Sequence, residues 1–457
     1  ESAAEFDPVS IDETDNVNEL IKRLASSDRT VVITTIQKLN HLMKRMEEDN
    51  ATERASKNYD KIKDLKVAFI VDECHRAVTP HKKKELDQIF RYALWYGFTG
   101  TPIFGELKKT TTTAMLYSSV QNQPTEENSD RSCLHKYTVK EAINDAAVLG
   151  FQIEYKDPFQ EDMVNEIISH YRADKNVESL TPLEKEKLIP RELYNSKDHR
   201  LMVIDSIINQ SRSKLGFTTE SGVGKAYGAM LTVPSIAIAQ EYYDLFKSVI
   251  AGNESVKISE RTKAILPDFP KIAITYSISE NEESSIDNQA KMTESLRDYN
   301  AMYGTSYSLE NMRAYNQNVN ARLARKHEKY HERAEQIDII IVVDRLLTGF
   351  DAPCISTLFI DRPPMSAPNI IQAFSRTNRL FDQGKKFGQI VTFQTPRLFA
   401  EAVDEALVLY SNGGQNYVLA PSYEEAAANL EEAFATLKSI ADAPEAIEEL
   451  MIEEKRR

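Results

Sequence analysis

Four consecutive residues, Asp72-Glu73-Cys74-His75, carry the strongest chemical signal in the sequence. They follow the apolar run 67–71, whose unbroken β-branched and apolar composition predicts a strand buried on both faces of a parallel sheet. Two carboxylates at the carboxyl end of such a strand would lie at the sheet rim, where open α/β folds bind ligands. This pattern suits hydrolysis of a nucleoside triphosphate, with Asp72 holding Mg²⁺ and Glu73 orienting or deprotonating water. A surface turn with two solvated acids is the alternative.

A second motif, Thr99-Gly100-Thr101-Pro102, follows the next predicted strand, 92–98. A hydroxyl-rich turn with a glycine lets the backbone pass close to a phosphate or to an acid pair. The same four residues also make an ordinary turn. Their position, one strand–helix–strand unit beyond the acid pair, strengthens the functional interpretation.

A glycine and an acid follow another predicted strand, 337–343, in the second half of the chain. Gly349 would permit close approach of a ligand, and Asp351 could accept a hydrogen bond from a ribose hydroxyl or pin a loop. The alternative is a helix C-cap at Gly349, followed by a proline that stops the helix.

Two arginines, Arg376 and Arg379, lie three residues apart on a predicted helix, 368–380, and would therefore share one face. Guanidinium groups present fixed donors that suit phosphate oxygens. Beside Gln372, the pair could clamp the charge that develops on a γ-phosphate during its transfer. The pair could equally cap a helix or bridge to Asp382.

One glycine-rich segment does not match the phosphate-binding loop that it resembles. Gly222-Val223-Gly224-Lys225 resembles the end of a phosphate-binding loop, but Thr219 occupies the earlier glycine position and Ala226 follows the lysine. We interpret the segment as a flexible turn before the predicted strand 226–233. No complete GxxxxGKS/T motif occurs in the sequence.

The elements that must position these side chains alternate between strand and helix. The predicted strands are 30–36, 67–71, 92–98, 226–233, 272–276, 337–343, 357–360 and 390–393. The predicted helices are 37–48, 83–93, 235–249, 288–303, 308–335 and 368–380. This alternation predicts an α/β fold built on parallel sheets.

Length and composition limit the number of domains and the class of protein. A chain of 457 residues predicts two or three domains. No stretch approaches 18 consecutive apolar residues, so no membrane span is predicted. Cys74, Cys133 and Cys354 are too scattered for a disulfide framework or a zinc site, which fits a reducing cytoplasm.

The net charge of −14 argues against a protein whose whole surface binds nucleic acid. A local basic stripe is still possible at residues 322–333, where arginines, lysines and histidines recur every three or four residues. Such spacing would place several of them on one helical face. A DNA-binding surface and an ordinary solvated face remain equal alternatives for this segment.

Taken in order, the motifs DECH, TGTP, LLTGFDAP and QAFSRTNR resemble those of superfamily 2 helicases and translocases. More closely, the chain resembles the motor (R, restriction) subunit of type I restriction–modification enzymes, from about residue 30 to 420. Six stretches carry this closer resemblance: TTIQKLN at 34–40, DECHR at 72–76, GFTGTPIF at 97–104, LLTGFDAP at 346–353, QAFSRTNR at 372–379 and FGQIVTF at 387–393. The resemblance implies two RecA-like parallel-sheet domains, the first incomplete, followed by the start of a helical region.

Four regions follow from the resemblance and from the polar stretch 118–132, which is typical of a linker. They are 1–125, the carboxyl-terminal part of motor domain 1; 126–215, a linker and helical connection; 216–420, motor domain 2; and 421–457, the start of a helical region. A capping box at residues 422–425 would open the last of these.

The resemblance also implies roles in the first domain. Asp72 would be the metal ligand for Mg²⁺, Glu73 would activate the attacking water, and His75 would couple the site to the second domain. Thr99 and Thr101 would link hydrolysis to DNA contact.

In the second domain, the resemblance implies that Gly349, Asp351 and Gln372 bind the nucleotide. Arg376 and Arg379 would act as arginine fingers on the nucleotide that the first domain holds. We therefore expect the acid pair and the arginine pair to act on one ATP from opposite sides.

Contacts with duplex DNA are implied for Thr34, Thr35 and Thr348, which would touch the phosphate backbone without reading sequence. ATP and Mg²⁺ are the implied cofactors. Double-stranded DNA and the methyltransferase (M) and specificity (S) subunits are the implied partners. S-adenosylmethionine would enter only through the methyltransferase subunits.

The family's phosphate-binding loop and its amino-terminal nuclease motifs are missing from this sequence. We therefore expect the chain to be an excerpt of a longer site-specific deoxyribonuclease, inactive as an ATPase by itself. Two alternatives remain open. One is another superfamily 2 ATPase, such as an RNA or DNA-repair helicase; the other is a non-catalytic fragment that docks through the helices after Pro421.

Overall fold

The chain divides into two compact units, Glu1–Lys136 and Tyr137–Arg457. The computed structural model describes residues 11–13, 16–26, 31–48, 53–102, 113–117, 134–172, 174–220, 223–276, 285–411, 418–421 and 423–441. The predicted linker, 118–132, and Ser422 of the predicted capping box lie outside these residues.

The first unit contains two pairs of short parallel strands with helices between them. Its strands are β1 (Ile11–Glu13), β2 (Val31–Ile33), β3 (Ala68–Val71) and β4 (Leu94–Gly97). Its helices are α1 (Val17–Leu24), α2 (Ile36–Glu48), α3 (Glu53–Lys63), α4 (Cys74–Ala77), α5 (Pro80–Ile89) and α6 (Thr113–Tyr117). β1 pairs with β2, and β3 pairs with β4 in parallel register.

A small apolar core closes one face of the β3–β4 pair. Phe69 of β3 stacks on Trp95 of β4, with ring centroids 4.4 Å apart, and meets Phe90 edge-on at 5.1 Å. Helices α1, α2, α3 and α5 complete this core with buried side chains that include Leu20, Leu42, Ile62 and Leu86. The acid pair therefore follows a strand that packs against the apolar core with one of its faces.

The prediction that β3 is buried on both faces is wrong for the described residues. Ile70 is 75% exposed, and Leu94 and Tyr96 on the neighbouring strand are exposed as well. Successive side chains of a strand point to opposite faces, so these residues occupy the face opposite Phe69. The described helices of this unit cover only the Phe69 face.

The second unit is built on a six-stranded parallel sheet with the strand order β5-β12-β11-β8-β10-β9. Its strands are β5 (Phe151–Tyr155), β8 (Gly228–Thr232), β9 (Ile272–Thr275), β10 (Ile339–Val342), β11 (Ile355–Ile360) and β12 (Gly388–Thr392). β8, β9, β10 and β11 are buried along their whole length, as their apolar sequences predict. The predicted α/β class with parallel sheets is confirmed.

Helices surround this sheet and extend beyond it. They are α7 (Val139–Asn144), α8 (Glu161–Tyr171), α9 (Pro182–Leu188), α10 (Arg191–Tyr194), α11 (Lys197–Asp205), α12 (Ile236–Ile250), α13 (Glu260–Ile265), α14 (Ser285–Tyr303), α15 (Met312–Leu323), α16 (Ala367–Phe374), α17 (Pro396–Tyr410) and α18 (Tyr423–Ile440). No helix among the described residues has the length and apolar character that crossing a membrane requires.

Helix α12 illustrates how sequence sets an element. The Ser235 hydroxyl caps its first turn by accepting a hydrogen bond from the Ile238 N–H, the usual role of an N-cap serine. Tyr242, Phe246 and Val249 recur every three or four residues and are all buried. The helix therefore packs its apolar face inward.

The edge strand β5 lies in the region predicted as a connection, 126–215, and was not predicted. It pairs with β12 in parallel register. Within the segment interpreted as a turn, Gly222 lies outside the described residues, and Val223–Lys225 forms β7, which pairs with β6 (Thr218–Glu220) in an antiparallel hairpin.

The predicted helix 308–335 is too long. α15 ends at Leu323, and Arg325 adopts a left-handed backbone conformation with φ of 49°. Left-handed residues commonly terminate helices. The Arg325 guanidinium then donates to the Ala226 carbonyl at 2.7 Å, which fixes the chain in its new direction.

The basic stripe predicted at 322–333 therefore does not form one helical face. Arg322 is buried, where it donates to Glu335 and lies over the Tyr303 ring at 4.0 Å. Arg333 donates to the buried Asp338. Both arginines stabilise the interior of this unit, which leaves them poorly placed for nucleic acid.

Candidate active site

The DECH residues form a tight turn at the carboxyl end of β3. The Glu73 N–H donates to Asp72 Oδ1 at 2.8 Å. Glu73 itself has a left-handed backbone, with φ of 47° and ψ of 43°. A non-glycine residue held there costs roughly 1–3 kcal/mol, and such strain concentrates at functional sites. The strain therefore supports a functional interpretation of Glu73 over that of an ordinary surface turn.

A hydrogen bond joins the DECH turn to the TGTP turn. His75 Nδ1 lies 2.8 Å from Thr99 Oγ1 and 3.4 Å from Glu73 Oε2. Burial lowers the pKa of His75, and this outweighs the Glu73 carboxylate, which acts to raise it. A neutral ring can exchange the donor role with the Thr99 hydroxyl according to its tautomer. Thr99 and His75 are therefore hydrogen-bonded to each other, and the Glu73 carboxylate lies beside them.

The TGTP turn is held firmly in place. The Thr101 N–H donates to Thr99 Oγ1 at 3.0 Å, and the Cys74 N–H donates to the Phe98 carbonyl at 3.0 Å. The Thr101 side chain is buried. Both threonines thus lie beside the DECH turn, as their order in the sequence predicts for neighbouring parallel strands.

In the second unit, the loop after β10 contains two left-handed residues, Leu346 and Gly349, with φ of 68° and 66°. A Cβ added to Gly349 would meet no described heavy atom within 4 Å, so the space beside it is open to a ligand. No helix precedes Gly349 in this loop. The alternative of a helix C-cap at this glycine is therefore wrong.

Both arginines reach this loop. Arg379 Nε donates to Asp351 Oδ1 at 3.0 Å, and Arg376 donates to the Phe350 carbonyl. The structure thus brings Asp351, Arg376 and Arg379 together at the loop that also contains Gly349.

The arginines do not lie on a helical face, contrary to the prediction. α16 ends at Phe374, and both residues follow its last turn. Arg376 Nε donates to the Gln372 carbonyl at 3.0 Å, so the capping alternative describes part of its role. After α16 ends, Arg376 and Arg379 contact the loop after β10.

The Arg379–Asp351 pair is open to solvent. The side chains are 38% and 67% exposed, respectively. Exposed ion pairs contribute about 1 kcal/mol or less to stability. Arg379 can therefore exchange Asp351 for a phosphate oxygen at little energetic cost, which suits a residue that acts only when nucleotide is present.

The remaining predicted residues are placed as follows. The Gln372 side chain is buried on α16. Thr35 Oγ1 accepts from the Lys38 N–H at 3.3 Å and so caps α2, while Thr34 Oγ1 is buried without a hydrogen-bond partner among the described residues. Thr348 is partly buried in the loop after β10.

Asp72 offers one exposed carboxylate at a strand end, which suits Mg²⁺ held mainly by phosphates and water. The described residues contain no group of three or more potential metal-ligating side chains. Mg²⁺ in nucleotide sites needs only one or two carboxylates, because phosphates and water supply the other oxygens. An exposed carboxylate at a strand end meets that requirement.

Two features of the second unit were missed. Lys385, in the segment after Arg379, is buried beside the arginine loop, yet the sequence does not distinguish it from the exposed Lys386. A buried acid, Asp361, follows β11 and accepts a hydrogen bond from the ring of His199 at 2.8 Å. The position of Asp361 directly after an apolar strand was the available signal.

Comparisons with known proteins cover nearly the whole chain. A family model described as SWI2/SNF2 ATPase matches residues 2–188, and one described as type I restriction enzyme subunit R domain 3 matches residues 225–395. The type I restriction enzyme endonuclease subunit of Staphylococcus saprophyticus is 31% identical over 459 residues, 99% of this chain and 43% of that protein.

A second relative, the corresponding subunit of Staphylococcus aureus strain COL, is 29% identical over 461 residues, 97% of this chain and 42% of that protein. Among solved structures, the ATP-dependent type ISP restriction-modification enzyme LlaBIII bound to DNA matches with a TM-score of 0.42 and 13% identity. That match covers 86% of this chain and 23% of the other.

The match to the SWI2/SNF2 ATPase model, with the DECH–TGTP contact inside the matched residues, places residues 2–188 in the class of SNF2-like ATPase domains. More particularly, the chain belongs to the family of type I restriction enzyme endonuclease (R) subunits. It spans less than half the length of the curated relatives that it matches.

Proposed function

We propose that this chain forms the motor core of a type I restriction enzyme R subunit, in which ATP hydrolysis drives translocation along duplex DNA before cleavage. The nuclease belongs to another part of the protein. The observation that carries this proposal is the hydrogen bond between His75 and Thr99, because it links the acid pair to a second motif on the neighbouring strand. Family membership supports the same conclusion.

The two acids have different roles in hydrolysis. Asp72 holds Mg²⁺, which neutralises charge on the phosphates when nucleotide is bound. Glu73 accepts a proton from the attacking water, and its fixed backbone holds the carboxylate in position. His75 and Thr99 transmit the state of this carboxylate to the TGTP turn and, with Thr101, toward the DNA.

The second unit acts on the same ATP. Gly349 leaves room for the nucleotide, Gln372 and Asp351 help to bind it, and Arg376 and Arg379 stabilise the charge on the transferred phosphoryl group. Arg379 leaves Asp351 when ATP binds, which the weak, exposed pairing allows. Loss of the γ-phosphate after hydrolysis removes this attraction, so each cycle alternately engages and releases the second unit.

DNA contact is sequence-independent. Thr34, Thr35 and Thr348 touch the phosphate backbone, which every duplex presents in the same form. The specificity (S) subunit selects the site, and the methyltransferase (M) subunits bind S-adenosylmethionine. The R subunit containing this chain assembles with both.

The test uses Glu73→Gln in the full-length R subunit assembled with its partners. The substitution keeps size and hydrogen bonding but removes the base, so ATP hydrolysis and translocation should fall by about 100-fold or more. ATP binding should be retained. Triplex displacement on long duplex DNA measures translocation, and release of phosphate measures hydrolysis.

Glu85→Gln is the matched control for this experiment. Glu85 lies on α5, where it pairs with Lys82 in a surface ion pair of the kind that contributes little to stability. This control should translocate as the wild type does. Wild-type translocation by Glu73→Gln would instead refute the role of Glu73.

A further inference from the structure

A buried lysine connects the two loops that carry the arginine site. Lys385 is 4% exposed. Its ammonium donates to the Pro353 carbonyl at 2.7 Å and to the Arg379 carbonyl at 2.8 Å. An ammonium has three donors and no acceptor, so these two carbonyls take most of its hydrogen-bonding capacity.

The two carbonyls belong to different segments of the chain. Pro353 lies two residues after Asp351, in the loop from β10 to β11. Arg379 lies in the segment from α16 to β12. The exposed pair between Arg379 and Asp351 is too weak to hold these segments in register by itself, and the Arg376 side chain adds one contact to the Phe350 carbonyl. Lys385 joins them through the backbone, out of reach of solvent.

A rigid turn presents the lysine. Asp382 Oδ1 accepts hydrogen bonds from the N–H groups of Gly384 and Lys385, each at 3.0 Å. The same oxygen accepts from the Tyr227 hydroxyl at 2.6 Å. A Cβ on Gly384 would lie 2.7 Å from that hydroxyl, so a larger residue there would push on the Tyr227 side chain. The three hydrogen bonds to Asp382 Oδ1 hold the turn with Lys385 buried.

Keeping this lysine buried is costly. Burial lowers the pKa of Lys385 to about 8, and the nearby Arg379 acts in the same direction. Cys354, Asp382 and Asp351 oppose this change. Replacing Lys385 with an apolar side chain would remove this cost and would also remove the donor to the Pro353 and Arg379 carbonyls. Stability alone therefore does not separate a structural role from a positioning role, and a measurement of catalysis is needed.

We propose that Lys385 is a positioning residue for Arg379. By holding the Arg379 backbone against the loop of Asp351 and Pro353, it fixes where the guanidinium lies when that group leaves Asp351 for the nucleotide. This inference rests on the proposed function, in which Arg379 stabilises the transition state of ATP hydrolysis.

The first test is Lys385→Met in the full-length R subunit, with Lys386→Met as the matched control. Lys386 is adjacent in sequence and exposed. Small displacements of a group in an active site can cost up to about 100-fold in rate. We expect Lys385→Met to lower kcat for ATP hydrolysis by about 10-fold or more, with KM for ATP nearly unchanged. Lys386→Met should match the wild type.

A double mutant separates positioning from a general structural effect. If Lys385 acts through Arg379, then Lys385→Met should cause no further loss of kcat in an Arg379→Ala background. If the fold losses of kcat in the two single mutants multiply in the double mutant, the inference is overturned. If Arg379→Ala alone leaves kcat unchanged, the proposed function fails instead, so the two failures are distinguishable.

Tyr227→Phe provides an independent, milder test, which keeps the inference falsifiable if Lys385→Met does not fold. It removes only the hydroxyl that holds Asp382 and leaves the ring in place. We expect a smaller loss of kcat, which again disappears in the Arg379→Ala background. Wild-type kcat in Tyr227→Phe would overturn the proposal, whether or not Lys385→Met folds.

Discussion

Arg379→Ala in the full-length R subunit is expected to lower kcat for ATP hydrolysis by about 1,000-fold or more, with little change in ATP affinity. Arginine fingers act on charge that develops in the transition state, so their loss is seen mainly in kcat. The resting partner of Arg379 is the exposed Asp351, which gives up the guanidinium readily. Steady-state hydrolysis and equilibrium binding of ATP measure the two quantities.

Two further variants test whether the loss of kcat is specific to the Arg379 guanidinium. Arg313→Ala removes an exposed arginine of α15, remote from the motif loops in sequence, and should retain wild-type kcat. Arg379→Lys keeps the charge but loses the planar pair of donors, and should recover only part of the lost rate. Wild-type hydrolysis by Arg379→Ala would show that this residue is no arginine finger.

His199→Ala is expected to lower the free energy of unfolding of the second unit by about 3 kcal/mol or more. The His199 ring donates to Asp361, which also accepts from the Tyr242 hydroxyl at 2.6 Å and from the Gln394 amide at 3.0 Å. Asp361 and His199 are both almost fully buried. Removing the imidazole leaves a carboxylate in the interior with one donor fewer and a cavity beside it.

Chemical denaturation of the chain, followed by circular dichroism, measures this change. His170→Ala is the matched control, since His170 is exposed on α8 and its loss should change stability by less than about 0.5 kcal/mol. Asp361→Asn should also destabilise the unit, because three donors face the two carboxylate oxygens and the substitution replaces one of these oxygens with an NH₂ group. If His199→Ala has the same free energy of unfolding as the His170→Ala control, the network does not hold α11 to the sheet.

Strand positions were largely predictable from the sequence, because buried parallel strands need continuous apolar runs. The run 337–343 became β10, Ile339–Val342. Strand β5 escaped prediction because Phe151-Gln152-Ile153-Glu154-Tyr155 alternates polar and apolar residues, as an edge strand with one open side does. The prediction that β3 is buried on both faces was wrong for a different reason, because the composition of a strand does not say which elements cover it.

The candidate site was predictable in part. Parallel strands end at one edge of a sheet, so the order of the motifs placed His75 near Thr99. Backbone conformation was not predictable: nothing in the sequence marks the left-handed Glu73. The arginines were predicted on a helix because Gln372 to Leu380 has no glycine or proline, whereas the helix ends at Phe374 and both arginines contact the loop after β10.

A structure of the full-length R subunit with Mg²⁺ and a non-hydrolysable ATP analogue tests the central claim most directly. We expect the Asp72 carboxylate at the metal, and the Arg379 guanidinium about 3 Å from the γ-phosphate of the same nucleotide, released from Asp351. Arg379 still paired with Asp351, with the analogue bound elsewhere, would contradict the account.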